Sequence, residues 1–281
     1  MDDAAIATIA YADVFDYPLR RDELVRWMMF DGKVPKQEKR FYYLPGRTHL
    51  IAIRRKRAKW QQEKWSIAER VARILSIIPT LQLIGVTGGL AMDNAGQQDD
   101  VDLFFIVSDG TLWVSRLLAT VLIELLGIRR RPNDTSVANK VCLNMFMTEC
   151  GLAISMGERD CFSAHEVLQM RPLWERGNIY KRFLKANGWV KMYLPNAWKE
   201  RGNSKWLPVH RKDQSNILFS ILEPFAKKAQ LWYMKKHRTN EVISDTTLRF
   251  HPNDARLWIK RKLAARLARY HIPLDKIFYA S

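Results

Sequence analysis

Leu81-Gln82-Leu83-Ile84-Gly85-Val86 runs into Thr87-Gly88-Gly89-Leu90-Ala91-Met92, and after ten residues intervening from Gly89 comes Asp100-Val101-Asp102-Leu103-Phe104-Phe105-Ile106-Val107. Both apolar runs have the length and composition of short buried strands, and the glycine pair between them opens a helical turn. Side chains alternate faces along a strand, so Asp100 and Asp102, two apart, point the same way. Two parallel carboxylates beside a glycine-opened helix start can hold a divalent metal and the phosphates it neutralises. Asp102 lies between Val101 and Leu103 at the mouth of an apolar strand, where an unpaired carboxylate costs stability. The competing readings are an ordinary tight turn for Gly88-Gly89 and a solvated turn for Asp99-Asp100-Val101-Asp102.

Working outward, Trp113 to Leu126 reads as an apolar helix, ended by Arg129-Arg130-Arg131-Pro132, and Val141 to Met147 reads as a third strand. Strand, helix, strand, helix, strand predicts an α+β core: a small mixed β-sheet with helices packed on it. Upstream, residues 4–13 and Arg21 to Met29 have helical spacing. Phe41-Tyr42-Tyr43-Leu44, Pro45-Gly46 and Leu50-Ile51-Ala52-Ile53 read as a hairpin. Helices followed by a hairpin suggest a winged-helix-like unit, either binding nucleic acid or packing on protein. A long helix follows from Arg54 to about Ile77. From Ser163 onward the chain reads as helical, over Ala164–Met170, Tyr180–Asn187, Ile217–His237 and Asp254–Tyr270. Residues 195–215, broken by Pro195, Gly202 and Pro208, read as a linker or loop. The expected domains are a winged-helix-like segment at 1–58, a core at 59–155 and a helical C-terminal region at 156–281.

The glycine pair, the spacer and the Asp-x-Asp strand resemble the signature of the polymerase-beta-like nucleotidyltransferase superfamily. Thr87 stands where that pattern usually has an apolar residue. The resemblance covers about residues 80–150, a quarter of the chain. Tyr11–Leu19 and the segments around Ser163 and Phe250 add a likeness to uncharacterised bacterial and archaeal nucleotidyltransferase-domain proteins. It implies a magnesium-dependent enzyme with two ions that moves a nucleoside monophosphate from an NTP to an acceptor. Asp100 and Asp102 would then be catalytic metal ligands. Thr87, Gly88, Gly89 and Lys140 would hold the nucleotide, with Arg116 another cation for its charge. Active members of the superfamily usually carry a third carboxylate on a later strand, where this chain has Asn144. An amide is no base and a weaker ligand, so Asn144 is the expected catalytic position without its acid. Glu149, Asp134 and Asp160 are candidate replacements.

The 281 residues carry a formal net charge of +17, which favours polyanionic partners, RNA first and a membrane surface second. Arg54-Arg55-Lys56-Arg57 and Lys59 are either a solvated helix face or a contact to phosphates. Exposed tryptophans among Trp60, Trp65, Trp189, Trp198 and Trp206 would stack on bases, whereas buried ones pack. Ser163 is expected to cap a helix with Glu166 completing a capping box, the alternative being that His165 and Glu166 reach substrate. Asn253 or Asp254 is expected to cap the last helix. Cys142, Cys150 and Cys161 form no CxxC pair and fit a reducing cytoplasm. No leader-like or membrane-spanning run is expected, and so no membrane partner. Two alternatives to the enzyme remain: a weak or inactive member that binds nucleic acid, and a toxin–antitoxin or defence component that modifies a protein.

Overall fold

A computed structural model describes residues 2–36, 39–131, 134–203, 217–235, 242–249 and 255–279. The chain opens with α1 (Asp3–Val14), α2 (Arg21–Arg26) and the long α3 (Leu50–Leu75), then enters the sheet with β1 (Leu81–Val86). A single turn, α4 (Gly88–Ala91), leads to β2 (Val101–Val107), α5 (Leu112–Leu125) and β3 (Val141–Thr148). After α6 (Cys161–Gln169) come β4 (Arg171–Glu175), α7 (Ile179–Ala186), α8 (Pro195–Asn203) and α9 (Ile217–Met234). A small hairpin, β5 (Val242–Ile243) and β6 (Thr247–Arg249), precedes α10 (Ala255–Leu267) and α11 (Leu274–Phe278).

The six strands lie in the order β4-β1-β2-β3-β6-β5, and only β2 and β3 run parallel. Alternation along β2 defines the layers. Val101, Leu103, Phe105 and Val107 enter one core with Val71 and Leu75 of α3, Trp113 and Ile123 of α5 and Ala226 of α9. Phe104 and Ile106 enter the other, with residues of α1, α6, α7, α10 and α11. The result is a sheet between two helical layers, the arrangement by which a strand with two apolar faces is buried. Phe105 and Phe146 stack across the parallel pair with ring centroids 4.5 Å apart. On the other face, α10 closes against α1: Arg266 bonds both Asp13 Oδ2, at 2.6 Å, and the Asp13 carbonyl, while Arg47 holds Asp13 Oδ1 at 2.9 Å.

The mixed α/β class and the three core strands follow the sequence reading, but several expectations do not hold. Leu50–Ile53 are the first turn of α3, and Tyr42 makes only an isolated bridge to Leu19, so no hairpin forms there. The same apolar residues fit a helix: Leu50 is fully buried, and Ala68, Val71, Ala72 and Leu75 continue the stripe at helical spacing. The first core joins Ala5, Leu83, Phe183 and Phe278, residues far apart in the sequence. The stretch from Ser163 also contains strands, β4 at the sheet edge and the β5–β6 hairpin. Pro195 begins α8 rather than a linker, a position where proline's missing N–H costs nothing. Trp206 and Pro208, and the expected cap at Asn253 or Asp254, lie outside the described residues. Among those described, no helix is long and apolar enough to cross a membrane.

Candidate metal centre

Antiparallel pairing of Val86 with Leu103 carries the chain past Asp102, whose carbonyl accepts a hydrogen bond from Thr87 N at 3.0 Å. The next residue, Gly88, has φ +64°, and a Cβ there would stand 2.6 Å from Asp102 Oδ2. Gly88 is therefore needed twice, for a left-handed backbone and for the space the carboxylate fills. Gly89 differs: its Cβ would meet Ala95 Cα at 3.5 Å, an ordinary contact. The spacer is built by α3. Lys64 is buried, and its ammonium donates to the carbonyls of Gln97 and Asp99 at 3.4 and 2.5 Å and to Asn139 Oδ1 at 2.9 Å. This pins the loop that delivers Asp100.

Asp100, Asp102 and Cys142 each place a potential ligand atom within 4.8 Å of the others. Cys142 is the residue paired with Asp102 on β3. The register then jumps, Leu103 facing Leu143 but Phe104 facing Met145, so Asn144 is an extra residue on β3. Asn144 is buried, its Nδ2 donates to Thr87 Oγ1 at 3.5 Å, and its Oδ1 has no partner. Neither Cys142, paired with Asp102, nor the extra residue Asn144 supplies a carboxylate.

The electrostatics suit a cation. Burial, and then the neighbouring Asp100, raise Asp102 to about 7, while Arg130 and the Cys142 thiol pull it back. Arg130, which the sequence gives only as a helix terminator, bonds Asp100 Oδ2 at 2.6 Å. Burial and the two carboxylates push the Cys142 thiol up, so it stays protonated and donates to Asp102. Two carboxylates offer hard oxygens to a magnesium-like ion, and a neutral thiol adds little to such a shell. The residues present fit one divalent ion on Asp100 and Asp102, in competition with Arg130 for Asp100. They supply no third acid within that cluster for a second ion.

Glu166 sits nearby on α6. It lines the same cavity as Gly88, Gly89, Asp102 and Asn144, and burial raises it to about 7, with Arg249 opposing. Asp160, not Ser163, caps α6, accepting from Ser163 N at 2.8 Å, so Glu166 is free of the capping role expected for it. His165 donates from Nδ1 to the Cys161 carbonyl at 2.7 Å and stacks on Tyr11 at 3.9 Å. Burial, against that hydrogen bond, lowers it to about 4 and keeps the ring neutral.

Other expected residues are placed elsewhere. Lys140 pairs with Asp134 at 2.9 Å and is absent from the cavity lining. Arg116 reaches Gln230 Oε1 at 2.5 Å, between α5 and α9. Among the candidate third acids, Glu149 pairs with Arg182 and Asp160 with Arg256. In the basic cluster, Arg54 grips Glu23 at 2.6 Å over the Tyr17 ring, and Arg57 bonds Asn94 Oδ1 and the Phe15 carbonyl. Only Arg55, Lys56 and Lys59 of that cluster face solvent. Trp65 donates to Asp93 beneath Arg171, and Trp189 packs edge-on to Tyr193, so both serve packing.

Compared with models of protein families, with curated proteins and with solved structures, the chain matches none.

Proposed function

We propose that the protein is a magnesium-dependent nucleotidyltransferase that moves a nucleoside monophosphate from an NTP to an acceptor and releases pyrophosphate. The observation that carries this reading is the packing of Gly88 against Asp102, with Asp100 beside it: a diglycine bend and an acidic pair on one strand, pressed together at one end of the sheet. Asp100 and Asp102 would hold the ion, which when bound supplies charge neutralisation at the phosphates. Asp102, being hard to ionise unaided, gains its charged form when a cation arrives. Gly88 lets the Asp102 carboxylate lie against the backbone at the start of α4, which sets an ion on that acid beside the diglycine bend. Glu166, with its raised affinity for a proton, has the character of a general base for the acceptor's hydroxyl, the role for which Asn144 has no chemistry. The exposed Arg55, Lys56 and Lys59 favour RNA among macromolecular acceptors, although the inward half of that cluster is spent on internal contacts.

The test is incubation of the full chain with each α-labelled NTP, magnesium and total RNA, with pyrophosphate release measured in parallel. Release that disappears in Asp100→Ala and Asp102→Asn supports the proposal, whichever acceptor takes the label. Folded protein that binds NTP and releases no pyrophosphate would instead support a nucleotide-binding protein without turnover. That second reading is favoured by one specific feature, the Cys142 and Asn144 side chains where a third acid is expected.

A further inference from the structure

The cavity at the diglycine end of the sheet has a lining that phosphate binding does not call for. It encloses about 190 Å³ between the sheet and the layer of α1, α6 and α10, and aromatic rings wall it: Tyr11, Phe15, Trp27, Phe162 and Trp258. Among the described residues, no lysine or arginine lines it, and its two charged groups, Asp102 and Glu166, are both acids. The guanidiniums around it have other partners, Arg130 with Asp100, Arg249 with Glu158, Arg54 with Glu23, and Arg57 with Asn94 and the Phe15 carbonyl. His165 is neutral, and with Nδ1–H given to Cys161 it presents Nε2 as an acceptor. Asn144, only 5 % exposed, adds a carbonyl oxygen without a partner. Among the described residues the Glu166 carboxylate likewise has no hydrogen-bond or ion-pair partner.

Without an ion on the acids, a polyanion finds no countercharge among these lining side chains, whereas unpaired buried acceptors gain from a ligand that brings donors and positive charge. Aromatic faces attract cations as well, most strongly when water is excluded. We propose that this cavity binds a small organic cation, a primary amine or guanidine on an apolar body, with its charged head at Asp102 and Glu166 and its body against the aromatic walls. Binding of this kind does not depend on nucleotidyl transfer.

The test uses the full chain without nucleotide or metal at about pH 8 and follows tryptophan fluorescence, to which Trp27 and Trp258 in the cavity wall contribute. The probes are 2-phenylethylamine, its neutral counterpart 2-phenylethanol and the anion phenylacetate. The amine is expected to saturate, the alcohol to bind at least about tenfold more weakly and phenylacetate not at all. Glu166→Gln should weaken the amine by about tenfold or more while the protein stays folded. Asp102→Asn is the second variant should Glu166→Gln fail to fold, with the same loss expected. An alcohol that binds as well as the amine, an amine that does not saturate, or an amine that binds a folded acid-to-amide variant undiminished would overturn the proposal. Amine binding without pyrophosphate release would leave it standing and remove only the transfer reading. The reverse result would do the opposite.

Discussion

Substituting the two glycines separately distinguishes a built site from an ordinary turn. Gly88→Ala puts a Cβ 2.6 Å from Asp102 Oδ2 on a backbone with φ +64°. The left-handed conformation costs an alanine about 1–2 kcal/mol. The clash is additional, and it is relieved only if Asp102 or the strand end gives way. Gly89→Ala meets its nearest atom, Ala95 Cα, at 3.5 Å, lies in α4 and has no positive φ. It should be neutral or slightly stabilising, because alanine restricts the unfolded chain more than glycine does. Urea unfolding should therefore show Gly88→Ala destabilised by about 2 kcal/mol and Gly89→Ala within about 0.5 kcal/mol of the parent. Manganese binding, followed by calorimetry, should weaken by at least about tenfold in Gly88→Ala, because the carboxylate is displaced, and stay unchanged in Gly89→Ala. Equal effects of the two substitutions, or a Gly88→Ala protein that unfolds and binds manganese like the parent, would refute the assignment of Gly88 as the residue that makes room for Asp102.

Three further outcomes follow from the same geometry. Asp102 and Glu166 are raised from 3.8 and 4.5 to about 7, so between those values the folded state holds more protons than the unfolded one. Their contribution to stability should therefore fall as pH rises from about 4 to about 7, against the opposite contribution of His165, so in urea unfolding the stability of the double variant Asp102→Asn/Glu166→Gln relative to the parent should rise across that range. Arg130→Ala removes the cation that competes for Asp100, so manganese should bind roughly severalfold more tightly, as calorimetry would read directly. Lys64→Met strips the carbonyls of Gln97 and Asp99 of a buried donor and should cost about 2–4 kcal/mol in urea unfolding while weakening manganese through the loosened spacer.

The sheet's centre is legible because its signals are local. Residues 81–86 and 101–107 are short apolar runs bounded by turn formers, and both fall where the strands are. The parts that were misread depend on distant partners. Leu50–Ile53 have strand-like composition, yet Leu50 is buried as part of a 26-residue helix, and the packing of that helix decides the matter. Arg171–Glu175 lies in the stretch expected to be helical from Ser163 onward, but it forms the sheet's edge strand, where Pro172, a residue without an N–H, is tolerated. Arg54 and Arg57 look like a phosphate-binding run with Arg55 and Lys56. Helical periodicity sends the first pair inward to Glu23 and Asn94 and leaves the second pair in water.

The site shows the same division at finer scale. The two-residue spacing of Asp100 and Asp102 suffices to predict that they share a face, since that follows from strand geometry alone. What stands opposite them does not follow, because it depends on the register between β2 and β3. The register that pairs Asp102 with Cys142 makes that thiol its neighbour, while Asn144, the extra residue at the register jump that follows, lines the cavity as the sequence reading expects. Arg130 escapes notice, and Glu166 reaches substrate only as the alternative to a capping role, for a related reason. One looks like the basic end of a helix and the other like a capping residue, and each local role is sufficient in itself. Only the closure of the β2–β3 crossover brings Arg130 onto Asp100, and only the capping of α6 by Asp160 leaves Glu166 without a local bond. The acids that the chain must pair by folding are therefore just the ones whose partners the sequence hides. A missing third carboxylate on β3 is then a poor guide to inactivity, because an acid from α6 can approach the same cavity from the opposite layer.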